Sequence, residues 1–135
     1  MLYYFRMTHP ISLVLVSAGS GITPMMSIVR FLSDADSPVP ITFLHGARRE
    51  EDIIFAEECR RLAERHAWFR YWVTLSQPSE SWGGPQGRID GKRLLEMVEN
   101  PADCRFFLCG PNAFMNHVKV IQSLYPKPPG RRDSL

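Results

Sequence analysis

The chain has 135 residues, of which 44% are hydrophobic and 22% are charged, and its formal net charge is +2. This length fits one domain with a buried core, and the composition excludes an intrinsically disordered chain. The Lys and Arg residues are scattered and do not alternate with aromatic residues, so we expect no nucleic-acid-binding surface. The longest apolar run, residues 11–18, is far shorter than the roughly 20 residues that a membrane span needs, so no membrane span is expected.

The three cysteines, Cys59, Cys104 and Cys109, match no metal-binding spacing, and we expect no metal site. An odd number of cysteines without a recognisable signal peptide predicts a reducing, cytoplasmic environment.

The first part of the chain predicts a buried strand followed by a helix. Residues 1–6 form a short aromatic segment, which is either the end of an upstream element or an edge segment. The nearly continuous apolar run 11–17 predicts a strand buried on both faces, as in a parallel sheet. Ala18-Gly-Ser-Gly-Ile-Thr-Pro24 follows, and proline suits the first turn of a helix. Apolar residues at helical spacing extend this helix to Leu32, before residues 34–40 break the pattern.

The middle of the chain continues the alternation. A second strand is predicted over 41–45, an amphipathic helix over 51–66 and a third strand over 68–75. A loop rich in Gly, Pro and Ser, residues 76–87, then leads to a short helix that Asp90 would cap and that extends to about Val98.

A fourth strand, residues 105–109, precedes Gly110-Pro111, and a last helical stripe runs from Phe114 to Leu124 before a Pro-rich tail. The order β-α-β-α-β-α-β-α predicts an α/β fold with three α-β-α layers around a parallel, four- to five-stranded Rossmann-like sheet.

Gly19-Ser20-Gly21 lies between the first predicted strand and its helix, which suits the binding of a pyrophosphate. Glycines let the backbone approach phosphate oxygens, and a helix N-terminus offers N–H donors and a partial positive charge. The motif is not the standard Rossmann fingerprint, since position 25 is Met, and no Lys-Ser/Thr follows as in a P-loop. The alternative is a tight turn that only starts a helix, although Thr23 places a hydroxyl where the ligand would lie.

Further candidate residues follow the other strands. Arg48 and Arg49 follow the second strand and could clamp a ribose phosphate or stack on an adenine, and Arg88 could reach the same ligand. The alternative for Arg48 is a solvated charge that pairs with Glu50, Glu51 or Asp52. Ser76 and Gln77 end the third strand and could form hydrogen bonds with a ribose hydroxyl.

Cys109 ends the fourth strand, and its alternative role is that of a small buried hydrophobic residue. A cysteine-phosphatase loop is excluded because position 115 is Met rather than Arg. Nucleophilic catalysis is not expected, since no His–acid arrangement accompanies the cysteine.

Three segments together resemble the pyridine-nucleotide domain of the ferredoxin–NADP reductase superfamily. They are LVLVSAGSGITPMMSI (13–28), Trp82-x-Gly-x-x-Gly-Arg88-Ile89 and FLCGPNAFM (107–115). The chain is most similar to bacterial NADH reductases with an attached [2Fe-2S] domain, of the type that serves oxygenases and hybrid-cluster proteins. The resemblance implies a flavoprotein oxidoreductase that passes hydride from NADH or NADPH to FAD or FMN. Electrons would then leave to an iron–sulfur ferredoxin domain or protein.

The resemblance also implies a role for each candidate residue. The pyrophosphate would be wrapped by Gly19, Ser20, Gly21, Ile22, Thr23 and Pro24, with Thr23 near the nicotinamide. Cys109, Gly110 and Pro111 would lie under the nicotinamide, with Cys109 near the hydride-carrying carbon. The adenosine ribose or its 2′-phosphate would be held by Arg48, Ser76, Gln77 and Arg88, and Met115 would lie near the adenine.

The chain departs from the family in ways that bear on its activity. Ser76-Gln77 stands where NADP-specific members often carry Ser-Arg, which slightly favours NADH, although Arg48 and Arg88 favour a phosphate. No flavin-binding signature is present, so the chain is predicted to be inactive without its flavin-binding domain. Residues 1–10 would be the exit segment of that domain, 11–125 the NAD(P)-binding domain and 126–135 a flexible tail. The alternative function is a non-catalytic nucleotide-binding or regulatory module on the same fold.

Overall fold

Five strands form one sheet in the computed structural model, which describes residues 2–6, 12–34, 39–98 and 104–111. The strands are β1 (Leu2–Arg6), β2 (Ser12–Ala18), β3 (Ile41–Ala47), β4 (Phe69–Leu75) and β5 (Cys104–Cys109). Their order across the sheet is β1-β5-β2-β3-β4, and the last four run parallel to one another. The α/β fold with a parallel sheet that the sequence predicts is therefore confirmed.

The edge strand β1 differs from the other four because it runs antiparallel to its neighbour. Leu2 lies opposite Cys109, and Arg6 lies opposite Arg105. Only residues 7–11 connect β1 to β2, whereas a connection between parallel strands has to return along the sheet and takes about a dozen residues or more. Among the described strands β1 therefore lies at the edge of the sheet, next to β5. Its assignment to the exit of a flavin-binding domain stays a prediction.

Three helices are described: α1 (Ile22–Asp34), α2 (Ala56–Arg65) and α3 (Gly91–Met97). A 3-10 turn over Gly19–Gly21 precedes α1, so Pro24 lies in the first turn of that helix, as predicted. The predicted cap of α3 is confirmed, because the Asp90 carboxylate accepts a hydrogen bond from the backbone N–H of Arg93 at 2.8 Å.

The start of α2 differs from the sequence prediction, which placed it at residue 51. A separate 3-10 turn over Glu50–Asp52 comes first, closed by a hydrogen bond of 3.2 Å from the Arg49 N–H to the Asp52 carboxylate. The chain then reorients at Phe55, whose φ of 59° lies in the left-handed region. The helix therefore begins only at Ala56.

Alternating residues of the central strands bury both faces of the sheet. Leu15 and Phe43 pack in the cluster under α1 and α2. Val14 and Leu44 point to the other face, where they pack against Leu94 of α3. The apolar run of β2 reflects burial on both sides, and the result is the predicted three-layer arrangement.

The predicted helix 114–124, the tail 126–135 and Met115 lie outside the described residues. Among the described helices, none is long and apolar enough to cross a bilayer, and the longest, α1, has 13 residues. Within the same described segments, no group of three or more His, Cys, Asp or Glu side chains could hold a metal ion.

Candidate functional site

A cavity of about 530 Å³ lies at the carboxyl ends of the parallel strands. Its wall includes Ala18 at the end of β2, Gly46 and Ala47 at the end of β3, and Ser76 directly after β4. Open α/β sheets bind their ligands in this place, and ligand pockets commonly measure about 300–1,000 Å³. The position and the volume of the cavity both suit a small-molecule ligand.

Six of the residues predicted from the sequence line this cavity. They are Gly19, Ser20, Arg48, Ser76, Arg88 and Pro111. They belong to the segments that follow β2, β3, β4 and β5, so residues from four strand ends converge on one space.

The glycine turn after β2 lies directly against the end of β5. A Cβ atom added to Gly21 would lie 2.6 Å from the carbonyl carbon of Cys109 and 3.0 Å from the Gly110 nitrogen, so glycine alone fits there. Gly19 has a φ of +57°, which glycine adopts without a steric penalty. The strand order reverses between β2 and β5, and this switch point is where such sheets bind ligands. The segment is therefore a tight turn that starts a helix, which was the alternative to a binding role. It also forms part of the cavity wall, so the two interpretations are compatible.

Several predicted residues lie beside the cavity without lining it. Ile22 is fully buried in the cluster under α1, Pro24 is half-buried and Gly110 lies against Gly21. Gln77 is exposed, and its backbone N–H donates a hydrogen bond of 2.8 Å to the carbonyl oxygen of Arg48.

Thr23 and Cys109, the two residues predicted to be catalytic, differ in exposure. Thr23 is exposed in the first turn of α1, next to the glycine turn. Cys109 is 6% exposed and packs in the same hydrophobic cluster as Ile22. Neither residue lines the cavity, and their roles stay a prediction.

The cavity wall also contains residues that the sequence analysis did not assign. They are Ala18, Gly46, Ala47, Asp52, Ile54, Gly87 and Ile89. Ala18 and Ala47 are the last residues of β2 and β3, and Gly46 precedes Ala47, so their place at strand ends could have identified all three. Asp52 and Ile54 reach the wall through the 3-10 turn and the bend at Phe55, which no sequence pattern indicated.

Arg48 and Arg88 provide positive charge at the cavity. Both side chains are exposed, and within the described part of the chain neither forms an ion pair or a side-chain hydrogen bond. Glu50 instead accepts hydrogen bonds from Ser79, and Asp52 accepts one from the Arg49 N–H. Among the described residues, Arg48 therefore forms no ion pair with Glu50, Glu51 or Asp52, and its role as a ligand contact stays a prediction.

A buried polar pair lies one residue before the cavity wall on β2 and β3. Ser17 and His45 are fully buried, and Ser17 Oγ lies 2.8 Å from Nδ1 of His45. Burial lowers the pKa of His45 from 6.5 to about 4, although a hydrogen bond with Ser17 acts in the opposite direction. Nε2 of His45 has no partner among the described residues. The imidazole is therefore neutral near pH 7.

We expect His45 to make the fold sensitive to acid. The His45 imidazole binds a proton near pH 6.5 in the unfolded chain, but only near pH 4 in the folded chain. This contribution to the free energy of unfolding is therefore fully present above about pH 6.5 and is lost as the pH falls to about 4. The total loss is about 3 kcal/mol.

Urea denaturation across this pH range measures the effect. His45→Gln should flatten the pH dependence of the free energy of unfolding. His66→Gln is the control: the His66 ring stacks on Trp68, and this variant should retain the pH dependence of the parent. A pH dependence unchanged in His45→Gln would contradict the assignment.

The fold and the cavity define a class of protein: an α/β domain with Rossmann-like topology and a ligand site at the switch point of its sheet. The sequence profile of the oxidoreductase NAD-binding domain family matches residues 15–120, and the chain belongs to this family. The resemblance to the pyridine-nucleotide domain of ferredoxin reductases is thereby confirmed.

Three similar proteins illustrate the family. Over 111 residues the chain is 33% identical to the glycine betaine monooxygenase reductase subunit of Chromohalobacter salexigens, with 80% of this chain and 30% of the relative covered. Over 114 residues it is 36% identical to the NADPH nitrate reductase of Leptosphaeria maculans, with 83% and 13% covered.

The third is a solved structure, the flavohem-like FAD/NAD-binding domain of nitric oxide dioxygenase from Vibrio cholerae. It is 26% identical and has a TM-score of 0.76, with 95% of this chain and 52% of that chain covered. The chain thus spans about a third or less of the two relatives and about half of this structure.

Proposed function

We propose that the chain acts as the NAD(P)H-binding domain of a flavoprotein reductase. Hydride would pass from NADH or NADPH to FAD or FMN, and electrons would go on to an iron–sulfur acceptor. One observation carries this proposal: the glycine turn and the end of β5 converge on one cavity that is also lined by two arginines without an ion-pair partner in the described segments.

The backbone at the glycine turn is proposed to hold the pyrophosphate. Gly19, Ser20 and Gly21 lead directly into α1, whose first N–H groups have no partner within the helix. Ile22 and Pro24 fix the start of that helix, one by burial and the other by its restricted φ. The close contact between Gly21 and Cys109 supports a narrow, preformed wall.

The adenosine ribose is proposed to lie between Arg48, Ser76 and Arg88, with Gln77 beside them. The two arginines could bind a 2′-phosphate, but position 77 is Gln and provides no further positive charge for it. NADH is therefore slightly favoured over NADPH. Met115 is proposed to lie near the adenine, outside the described residues.

The nicotinamide end is proposed to lie near Thr23, Cys109, Gly110 and Pro111. A flavin held against this end of the cavity by the flavin-binding domain would supply the acceptor of the hydride. The chain itself would position the nicotinamide ring. The exposed Thr23 hydroxyl would lie at its edge, and the backbone around Cys109 would lie beneath it.

The remaining partners are proposed from the similar proteins. The Vibrio cholerae structure is of an FAD- and NAD-binding domain, which supports a flavin-binding domain as the neighbour of this one. The Chromohalobacter relative is a reductase subunit, which supports electron delivery to a separate protein, here an iron–sulfur one. We keep residues 1–10 as the exit segment, 11–125 as the NAD(P)-binding domain and a cytoplasmic location as parts of this proposal. The alternative of a non-catalytic module gains no support from the described residues.

Calorimetric titration of the purified chain with NADH and with NADPH tests the proposal. We expect one molecule of nucleotide to bind per chain, with NADH binding more tightly. Absence of binding by both nucleotides would overturn the proposal.

Thr23→Ala and Cys109→Ala should slow hydride transfer more than they weaken binding. Nicotinamide and flavin must be held in contact, so a small misplacement costs roughly ten-fold or more in rate. The rate of flavin reduction is measured by stopped flow in a fusion that supplies a flavin-binding domain, and the nucleotide Kd is measured in parallel. Cys59→Ala, at a buried cysteine on α2, is the control that should leave both values near those of the parent. Equal effects on rate and Kd would count against these roles.

A further inference from the structure

Two loops that line the cavity are joined by hydrogen bonds. We call residues 48–55 the β3 loop and residues 76–90 the β4 loop. At their bases, the Ser76 N–H donates to the carbonyl oxygen of Ala47 at 3.0 Å, and the Gln77 N–H donates to that of Arg48 at 2.8 Å. These two bonds extend the pairing of β3 with β4 beyond the strand ends.

A second link lies further along both loops, between Glu50 and Ser79. One carboxylate oxygen of Glu50 accepts the backbone N–H of Ser79 at 3.0 Å, and the other accepts the Ser79 hydroxyl. Ser79 Oγ also lies 2.9 Å from Oγ of Ser81. The hydroxyl of Ser79 lowers the pKa of Glu50, so the carboxylate is ionised when it accepts both bonds.

Neither Glu50 nor Ser79 lines the cavity, but their neighbours do. Arg48 and Asp52 lie two residues before and after Glu50, and Ser76 lies three residues before Ser79. The link therefore holds the backbone on both sides of the ribose position that we proposed above.

The link also engages the Glu50 carboxylate, which could otherwise pair with Arg48 and compete with an anionic ligand. Glu50 is near Arg48 in sequence, yet its carboxylate is directed to Ser79 and forms no ion pair with Arg48. An arginine on a fixed backbone loses less conformational freedom on binding an anion than an arginine on a mobile loop does. Because Arg48 is not bonded to Glu50, no such bond has to be broken before the anion binds.

We propose that Glu50 and Ser79 form a clasp that positions Arg48 and Ser76 for the adenosine half of the nucleotide. Both are positioning residues, since they act through their neighbours. The inference rests on the proposed function, because it assigns the adenosine ribose to this side of the cavity.

The test uses the purified chain and NMR titration, which measures weak affinities, with NADH, ADP-ribose and nicotinamide mononucleotide as probes. Glu50→Ala and Ser79→Ala should each raise the Kd for NADH and ADP-ribose about two- to ten-fold. The Kd for nicotinamide mononucleotide should not change. Glu50→Ala removes both hydrogen bonds of the clasp, whereas Ser79→Ala removes only the one from the hydroxyl. The double variant should therefore bind no more weakly than Glu50→Ala alone.

The controls separate positioning from stability. An exposed hydrogen-bonded pair contributes little to folding, so Ser79→Ala should keep the thermal midpoint of the parent chain. Glu57→Ala removes another exposed carboxylate, one that pairs with Arg60 at 3.1 Å on α2, and should leave every Kd unchanged.

The outcomes also separate this inference from the proposed function. If the parent chain binds no NADH, both fail. If the parent binds NADH and the clasp variants bind ADP-ribose equally well, only the clasp is overturned. Equal losses for ADP-ribose and nicotinamide mononucleotide, or additive losses in the double variant, would overturn it too.

Discussion

Gly21→Ala is expected to destabilise the fold and to lower nucleotide affinity at least about ten-fold. The added Cβ would lie 2.6 Å from the Cys109 carbonyl carbon and 3.0 Å from the Gly110 nitrogen. Both contacts are with backbone atoms, so no side chain can move aside and the ends of β2 and β5 must separate. Overpacking of this kind costs about 1–3 kcal/mol or more. The same separation would open the wall that we propose for the pyrophosphate.

Urea denaturation and calorimetric titration with NADH measure the two effects. Gly83→Ala is a matched control, because a Cβ at that position meets nothing within 4 Å and the residue lies outside the left-handed region. It should keep the stability and the affinity of the parent chain. A Gly21→Ala chain that binds NADH as tightly as the parent would contradict the role of this contact.

Removal of both arginines of the cavity, Arg48 and Arg88, should lower the affinity for nucleotide more than any other side-chain change. Neither Arg48 nor Arg88 has an ion-pair partner among the described residues, so each is available to the ligand. A hydrogen bond to a charged group contributes about 1.5–3 kcal/mol, which corresponds to roughly ten- to a hundred-fold in Kd for each arginine. Arg48→Ala/Arg88→Ala should therefore weaken binding by more than either single change.

The titration is repeated with NADH and NADPH to locate the 2′-phosphate. If the arginines contact that phosphate, NADPH should lose more affinity than NADH. Arg65→Ala removes one positive charge at the end of α2, as each single cavity variant does, and should have little effect. A double variant that keeps the affinity of the parent for both nucleotides would show that the ligand does not lie between these arginines.

The sequence predicted the parallel part of the sheet because both of its faces are buried. A strand such as β2 then needs apolar residues on both sides, and the run at 11–17 shows this directly. The direction of β1 could not be predicted in the same way. It depends on pairing with β5, which lies about a hundred residues later in the chain.

The start of α2 shows why local sequence patterns do not fix the bounds of every helix. Helical periodicity continues back to residue 51, but Phe55 takes a left-handed conformation and packs in the cluster under α1. The Arg30 guanidinium lies 5.0 Å from the centre of its ring, and Arg30 also forms a two-bonded ion pair with Glu58. These contacts join α1 to α2 and set the bend that no local pattern encodes.

The candidate site was predictable to the extent that it follows strand ends. Gly19, Arg48 and Ser76 were found because carboxyl ends of parallel strands meet at one edge of a sheet. Asp52 and Ile54 were missed because they reach the wall through a tertiary bend. The Glu50–Ser79 link was missed for a similar reason, since it joins two loops whose pairing appears only in the folded chain.

Mapping NADH onto the backbone amides by NMR tests the central claim most directly. We expect saturable shifts at Gly19–Gly21, Gly46–Arg48, Ser76 and Gly87–Arg88, with unchanged amides on the outer face of α2 around Glu57 and Arg61. Saturable shifts confined to surfaces away from these strand ends, or no shifts at all, would contradict it.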